Sequence, residues 1–189
     1  MRRSAEQTRL RILDAAYGLF WRQGFLRISM DEIAARVGIT KRALYQHFRS
    51  KDDLMAAVLV YASDLAMKRL RDFQRRPAAN VTEFIDSYFT QLGDWGAKPK
   101  YSGAGFTRVV VELADLRGHP ARAIARKHKL AVQKWLAEQL GGTGVSSEID
   151  RAREVMVLTE GAMALMLIHG DRSWAVAAAR AAKILIQNR

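Results

Sequence analysis

"SMDEIAARVGITKRALYQHFRSKDD" (residues 29–53) packs three helix starts and one glycine into 25 residues. Ser29 followed by Glu32 is a capping box: hydroxyl and carboxylate each take a backbone N–H that the first helical turn leaves unpaired. Ile33, Ala34 and Val37 give this helix an apolar face, and Gly38 breaks the pattern after barely two turns. Thr40 is a good N-cap for the next helix, in which Leu44 and Phe48 lie four apart and face inward. Two short helices joined through one glycine describe a helix-turn-helix. Ala34, small, falls where the two helices must approach closely. A further helix begins after Ser50, with Asp53 at the capping-box position and Asp52 beside it at the positive end of the helix dipole.

The outward face of the second of these short helices carries chemistry. Lys41, Arg42, Tyr45, Gln46 and Arg49 share one side by i, i+3, i+4 spacing. Arg and Lys can donate to guanine O6 and N7, Gln can pair with adenine, and Tyr can reach a phosphate or pack on a thymine methyl. A merely solvated face usually mixes both charge signs, and this one has no acidic residue. Ser29 and Thr40 stand at helix N-termini, where hydroxyls and unpaired N–H groups suit phosphate oxygens as well as capping. Lys51, just past a cap, is a further phosphate candidate.

Outward from this stretch, the chain reads as all-α, about nine helices, with no strand pattern and no internal repeat. Ile12, Leu13, Ala16, Leu19 and Phe20 recur at helical spacing in a first helix that starts near Ser4, and Gly24 stops it. The helix after Ser50 runs to about Gln74 with two apolar stripes, Leu54-Val58-Tyr61-Leu65 and Met55-Leu59-Ala62-Ala66-Leu70-Phe73. A helix apolar on two sides touches two partners. Span 51–75 is therefore expected to link an N-terminal head (residues 1–50) to a C-terminal helical domain (51–189). Residues 75–80 and 141–147 read as breaks. The later helices are expected over 81–95, 106–116, 120–140, 148–169 and 174–187, the last capped by Asp171 or Ser173.

Composition agrees. Residues 1–51 hold 11 Lys and Arg against 4 acidic residues, and the other 138 hold 20 against 15. Over half of the +12 excess thus sits in about a quarter of the chain, which favours a polyanion partner. Cysteine is absent, so no disulfide or thiolate metal site can form, which suits a reducing cytoplasm. Glu6, Arg9, Arg11 and Asp14 interrupt any signal-like run after Arg2 and Arg3. The most apolar stretch, residues 155–168, is shorter than the roughly 20 residues a membrane span needs. A soluble cytoplasmic protein is expected, with no membrane partner.

Residues 8–59 resemble the DNA-binding domain of the tetracycline-repressor (TetR) family of bacterial transcription regulators. The resemblance rests on "RILDAAYGLFWRQGF" and "ISMDEIAARVGITKRALYQHFRSKDDLMAAVL", above all on "LYQHFRSKDDL". It implies phosphate contacts from Ser29, Thr40, Tyr45, His47 and Lys51. It implies base contacts from Lys41 and Arg42, and in some members from Tyr45 or Gln46. It further implies a homodimer on double-stranded DNA with a palindromic operator, released by a small-molecule effector bound in the C-terminal domain. Repression is the family's usual mode. Arg2 and Arg3 are candidates for a disordered arm extending the footprint.

In the C-terminal part, Tyr88, Phe89, Trp95, Phe106, Val109, Trp135, Met163, Met166 and Leu167 are candidate pocket residues. Aromatics and methionines line adaptable apolar sites, although taken singly each of these residues reads more readily as plain core. Glu112, His128 and Glu160 are polar within apolar helical contexts and need a partner, either protein or ligand. A hydrophobic or amphipathic effector with one polar group is expected. The alanine-rich last helix, with Ala175, Ala178, Ala179, Ala182, Leu185 and Ile186, is the candidate dimer interface, intramolecular core being the alternative.

Two other classes compete. Against an enzyme, there is no Gly-rich phosphate loop, zinc motif or nucleophile elbow, and the four histidines (His47, His119, His128, His169) are scattered. No catalytic residue, metal or cofactor is expected. Against a nonspecific nucleic-acid coat, more than half the chain lies outside the basic head and has an apolar, pocket-like inventory.

Overall fold

The computed structural model describes residues 2–74, 78–141 and 148–187, the side chains of Arg2 and Arg3 excepted. Parts of the two breaks read from the sequence, residues 75–77 and 142–147, lie outside the described residues. Among the described residues there are nine helices and no strand: α1 (Arg2–Gln23), α2 (Met30–Val37), α3 (Lys41–His47), α4 (Lys51–Gln74), α5 (Val81–Gly96), α6 (Gly105–Glu112), α7 (Pro120–Gly141), α8 (Glu148–His169) and α9 (Ser173–Gln187). The all-α expectation is met. The backbone of Arg2 and Arg3 forms the first turn of α1 rather than a disordered arm.

The chain divides into two compact units, residues 1–70 with 105–128, and residues 71–104 with 129–189. The 1–50 head is thus part of a larger body that takes in α6 and the first half of α7. The boundary falls inside α4 and inside α7.

In the first unit one core joins Ile12, Ala16 and Phe20 of α1, Ile33 and Val37 of α2, Leu44 of α3, Leu54 and Val58 of α4, and Phe106 and Val109 of α6. All but two of these ten are at most 1% exposed, and each such burial of a Val, Leu, Ile or Phe side chain stabilises by about 1.5–3 kcal/mol. Helix α6 stops at Glu112, four residues before the sequence pattern does. The chain tightens there into i→i+3 bonds, Ala114 N–H to Val111 O and Leu116 N–H to Leu113 O. The Arg122 guanidinium then donates to the carbonyls of Leu113 and Ala114, at 3.4 and 2.9 Å. A side chain of α7 therefore takes acceptors that another α-helical turn would have used.

In the second unit, α5 buries Phe84, Ile85, Tyr88 and Phe89, and α8 buries Val155, Thr159, Met163 and Met166. Helix α9 packs on both. The face of α9 expected to meet a second copy lies instead inside the protomer: Ala175, Ala178, Ala179 and Ala182 are all buried, and Leu185 and Ile186 are half-buried. Small side chains let the helices close up. A Cβ added at Gly93 of α5 would already lie 3.4 Å from the Ala175 Cβ.

Candidate nucleic-acid interface

The helix-turn-helix is fixed by its caps. The Ser29 hydroxyl accepts from Glu32 N–H at 3.2 Å, and Glu32 Oε2 accepts from Ser29 N–H at 2.7 Å, closing the box. Those bonds to the Ser29 backbone and hydroxyl hold the Glu32 carboxyl below its ordinary range. Gly38 takes the left-handed conformation at φ 76°, and its N–H donates to the Ala34 and Ala35 carbonyls. Arg11 adds a bond to the Val37 carbonyl at 2.8 Å. Thr40 Oγ1 accepts from Ala43 N–H at 3.1 Å and starts α3. Ser50 and Asp53 repeat the device: Ser50 Oγ accepts from Asp53 N–H, while Asp53 accepts from Arg49 N–H.

This scaffold leaves Lys41, Arg42, Tyr45 and Gln46 exposed on α3, with Leu44 and the C-cap Phe48 buried; Arg49 is exposed too but lies past the end of the helix, after the extended Phe48, and not on the α3 face expected from the spacing. Arg9 stacks on the Phe48 ring, 4.9 Å from its centroid. Thr40 uses only an oxygen lone pair in its cap, so its O–H remains to donate to a phosphate. Ser29 differs, because its O–H already donates to Glu32 Oε2 at 2.7 Å. Lys41 is paired with Asp31 of α2 at 2.9 Å, and that bond raises its pKa. Both partners are more than half exposed, so a nucleic acid can displace the pair at little loss. His47 is half-buried. The Lys51 ammonium donates to the Leu26 carbonyl at 2.7 Å, and burial pushes its pKa down.

The candidate regulatory residues fall in both units. Phe106, Val109, Glu112 and His128 belong to the first. Phe106 stacks on the His128 imidazole at 3.8 Å, and His128 Nδ1 lies 3.0 Å from Ser63 Oγ. The Glu112 carboxylate binds Arg108, one helical turn before it, and the Phe25 and Leu26 amides, which no local pattern discloses. Tyr88, Phe89, Trp95, Trp135, Glu160, Met163, Met166 and Leu167 belong to the second. Trp135 sits in a cluster with Phe73, Phe84 and Tyr88, ring centroids 5.9–6.2 Å away. Its buried indole N–H has no hydrogen-bond acceptor among the described residues. Burial pushes Tyr88 up to about 12, so it stays a neutral phenol. Glu160 pairs with Lys129. Trp95 meets Tyr101 edge-on, and the Tyr101 hydroxyl donates to the Met163 carbonyl at 2.7 Å. A Cβ at Gly96 would lie 2.6 Å from Met166 Sδ. Leu167 is half exposed and lies over Gly103. Among the described residues no three His, Asp or Glu converge as a metal site would, and no helix is long and apolar enough to cross a membrane.

Residues 12–58 match the family described as bacterial regulatory proteins, tetR family. Over 55 residues the chain is 46% identical to the HTH-type transcriptional regulator SrpR of Pseudomonas putida, a match covering 29% of this chain and only 26% of that protein. A longer match, 26% identical over 151 residues, runs to the HTH-type transcriptional regulator UidR of Escherichia coli strain K12, covering 79% of this chain and 72% of UidR. The fold is shared with SCO4454, a TetR-family transcriptional regulator from Streptomyces coelicolor: TM-score 0.87 at 22% identity, over 97% of this chain and 96% of that one. The matched segment contains the capped α2–α3 pair, and the shared fold embraces the helices that follow. Residues 12–58, which hold the helix-turn-helix, are thus similar to the tetR family of bacterial regulatory proteins, and the chain as a whole shares the fold of TetR-family regulators.

Proposed function

We propose that the protein is a cytoplasmic homodimeric repressor that reads a palindromic operator and leaves it when a small hydrophobic or amphipathic molecule binds. The observation that carries the reading is the exposed face of α3, basic and polar throughout, held over a buried Leu44 and Phe48. Arg42 and Lys41 read guanine edges, Gln46 reads adenine, and Tyr45 serves a base or a phosphate. Thr40, His47 and Lys51 grip the backbone and set the register, and Ser29 joins them by exchanging its Glu32 acceptor for a phosphate oxygen. Bound across a promoter, such a dimer blocks polymerase by occupancy.

A stripe on α8 supports the dimer. Val157, Gly161, Ala164 and Ile168 succeed one another at three- and four-residue steps and are all exposed, Val157 and Ile168 at 72%. A Cβ at Gly161 would meet nothing within 4 Å, so a second helix can approach closely there. Val176 and Ile184 of α9 are exposed too and extend the apolar area. Two copies joined by a two-fold axis bury this surface and present two heads to half-sites one helical turn apart, or a multiple of it.

The effector site lies in the second unit, among Tyr88, Phe89, Trp95, Trp135, Met163 and Met166. The buried indole N–H of Trp135 calls for an acceptor, so the effector carries a carbonyl, ether or similar oxygen within an apolar, aromatic frame. Helices α4 and α7 have residues in both units and carry the effect to the head. Release requires the effector to bind the off-DNA state more tightly, since equal affinity shifts nothing. The test is selection of bound duplexes from random DNA by the purified protein, followed by a compound panel scored for operator release. A recovered palindrome, and a compound that dissociates it, are the results expected.

A further inference from the structure

The short segment between α1 and α2 is held from two sides. Its N–H groups face α6: Phe25 N–H and Leu26 N–H both donate to Glu112 Oε2, at 2.8 and 2.9 Å. The other carboxylate oxygen accepts from Arg108 Nε at 2.8 Å, and Arg108 Nη1 donates to the Trp21 carbonyl at 3.2 Å. On the other side, the Leu26 carbonyl accepts from Lys51 Nζ at 2.7 Å. Gly24 makes the approach possible. It sits at φ +103°, and a Cβ there would lie 2.9 Å from Arg108 Nη2 and 3.1 Å from Glu112 Oε1. A single peptide segment thus joins a carboxylate on α6 to the ammonium at the start of α4.

We infer that Glu112, steadied by Arg108, is a positioning residue for DNA binding: through the Phe25–Leu26 backbone it places the Lys51 ammonium for a DNA phosphate. The inference rests on reading Lys51 as a phosphate contact. Lysine has three N–H donors. One is fixed on the Leu26 carbonyl, which aims the remaining two. The carboxylates of Asp52, Glu112 and Glu32 all favour the charged amine against the burial that opposes it. Both Glu112 oxygens are committed to these partners, so the carboxylate works inside the DNA-binding unit and not on an effector. Charge-assisted bonds to two amides and a guanidinium are the strong kind, and they fix a backbone segment that the α1–α2 turn would otherwise leave adaptable.

The experiment measures binding of a fluorescein-labelled duplex, recovered by selection with the wild-type protein, across a salt series. Wild type, Lys51→Ala, Glu112→Ala and the double variant are compared. Lys51→Ala should reduce the slope of log affinity against log salt by about one unit per half-site. Glu112→Ala should reproduce most of that reduction, weaken all duplex sequences alike, and add little to Lys51→Ala in the double variant. A purely structural role for Glu112 lowers the melting temperature but leaves the slope intact and the two effects additive, and that result overturns the inference. If Glu112→Ala does not fold, Glu112→Gln, equal in size but uncharged, takes its place; it should lower the slope in the same direction, and a folded Gln variant with the wild-type slope likewise overturns the inference. Should Lys51→Ala itself leave the slope unchanged, the phosphate role of Lys51 fails, and the positioning role fails with it for that separate reason.

Discussion

Gly105 opens α6 against the indole of Trp21, where a Cβ at Gly105 would lie 2.1 Å from Trp21 Cε2. The indole has little room to yield, because Phe25 and Phe106 pack edge-on against it at 5.2 and 5.7 Å. Gly105→Ala should therefore overpack the first unit and lower stability by about 1–3 kcal/mol. Urea unfolding of the purified variant measures this. A variant as stable as its parent would mean that Trp21 finds another position.

The capping box makes the head acid-sensitive in a defined way. Glu32 has a folded pKa below its ordinary 4.5, so its contribution is fully present above about pH 4.5 and is lost as pH falls through the folded value. Glu32→Gln should remove that part of the dependence, giving a melting temperature that falls less between neutral pH and about pH 3. Parallel curves for the two proteins would contradict this.

Substitutions on the two faces of the α8–α9 pair should act differently. Val157→Asp or Ile168→Asp places a charge on the exposed stripe, so a folded monomer is expected by light scattering at micromolar concentration. Ala178→Glu places one in the protomer's own interior and should cost about 3 kcal/mol or more of stability, unfolding the protein instead of splitting it. If Val157→Asp and Ile168→Asp both remain dimers, the dimer uses another surface.

Trp135→Phe removes one N–H and keeps an aromatic ring among Phe73, Phe84 and Tyr88. Effectors bearing an acceptor oxygen should bind it more weakly by about 1 kcal/mol, while a matched compound with a methylene at that place should not. Calorimetric titration of such a pair decides it. Equal losses for both compounds would show that the indole contributes packing alone.

Local signals made the head legible. The Ser29–Glu32 box, Gly38 and Thr40 each specify a helix end through atoms within four residues, so the sequence pattern and the structure coincide there. The end of α6 was not legible in this way, because Arg122, far along the chain and on another helix, takes the Leu113 and Ala114 carbonyls. Glu112 read as a polar group in need of a partner; helical spacing offers Arg108 four residues before it, but the backbone amides it also binds are 86 and 87 residues away, which no side-chain pattern announces. The same limit applies to α9. Its alanines mark a face that a neighbour can approach closely, and periodicity cannot say whether that neighbour is α5 and α8 of the same chain or a second copy. Lys41 stands on a face whose own helix has no acid, yet Asp31 of α2 reaches it.

The most direct test of DNA reading by α3 is selection of bound duplexes from random DNA, run in parallel with wild type and Arg42→Ala. The wild type should recover a palindrome. Arg42→Ala should recover the same palindrome with preference relaxed at one symmetric pair of positions, a loss of about 1–3 kcal/mol of discrimination per half-site. An unchanged motif from Arg42→Ala, or no preferred sequence from the wild type, would contradict the account.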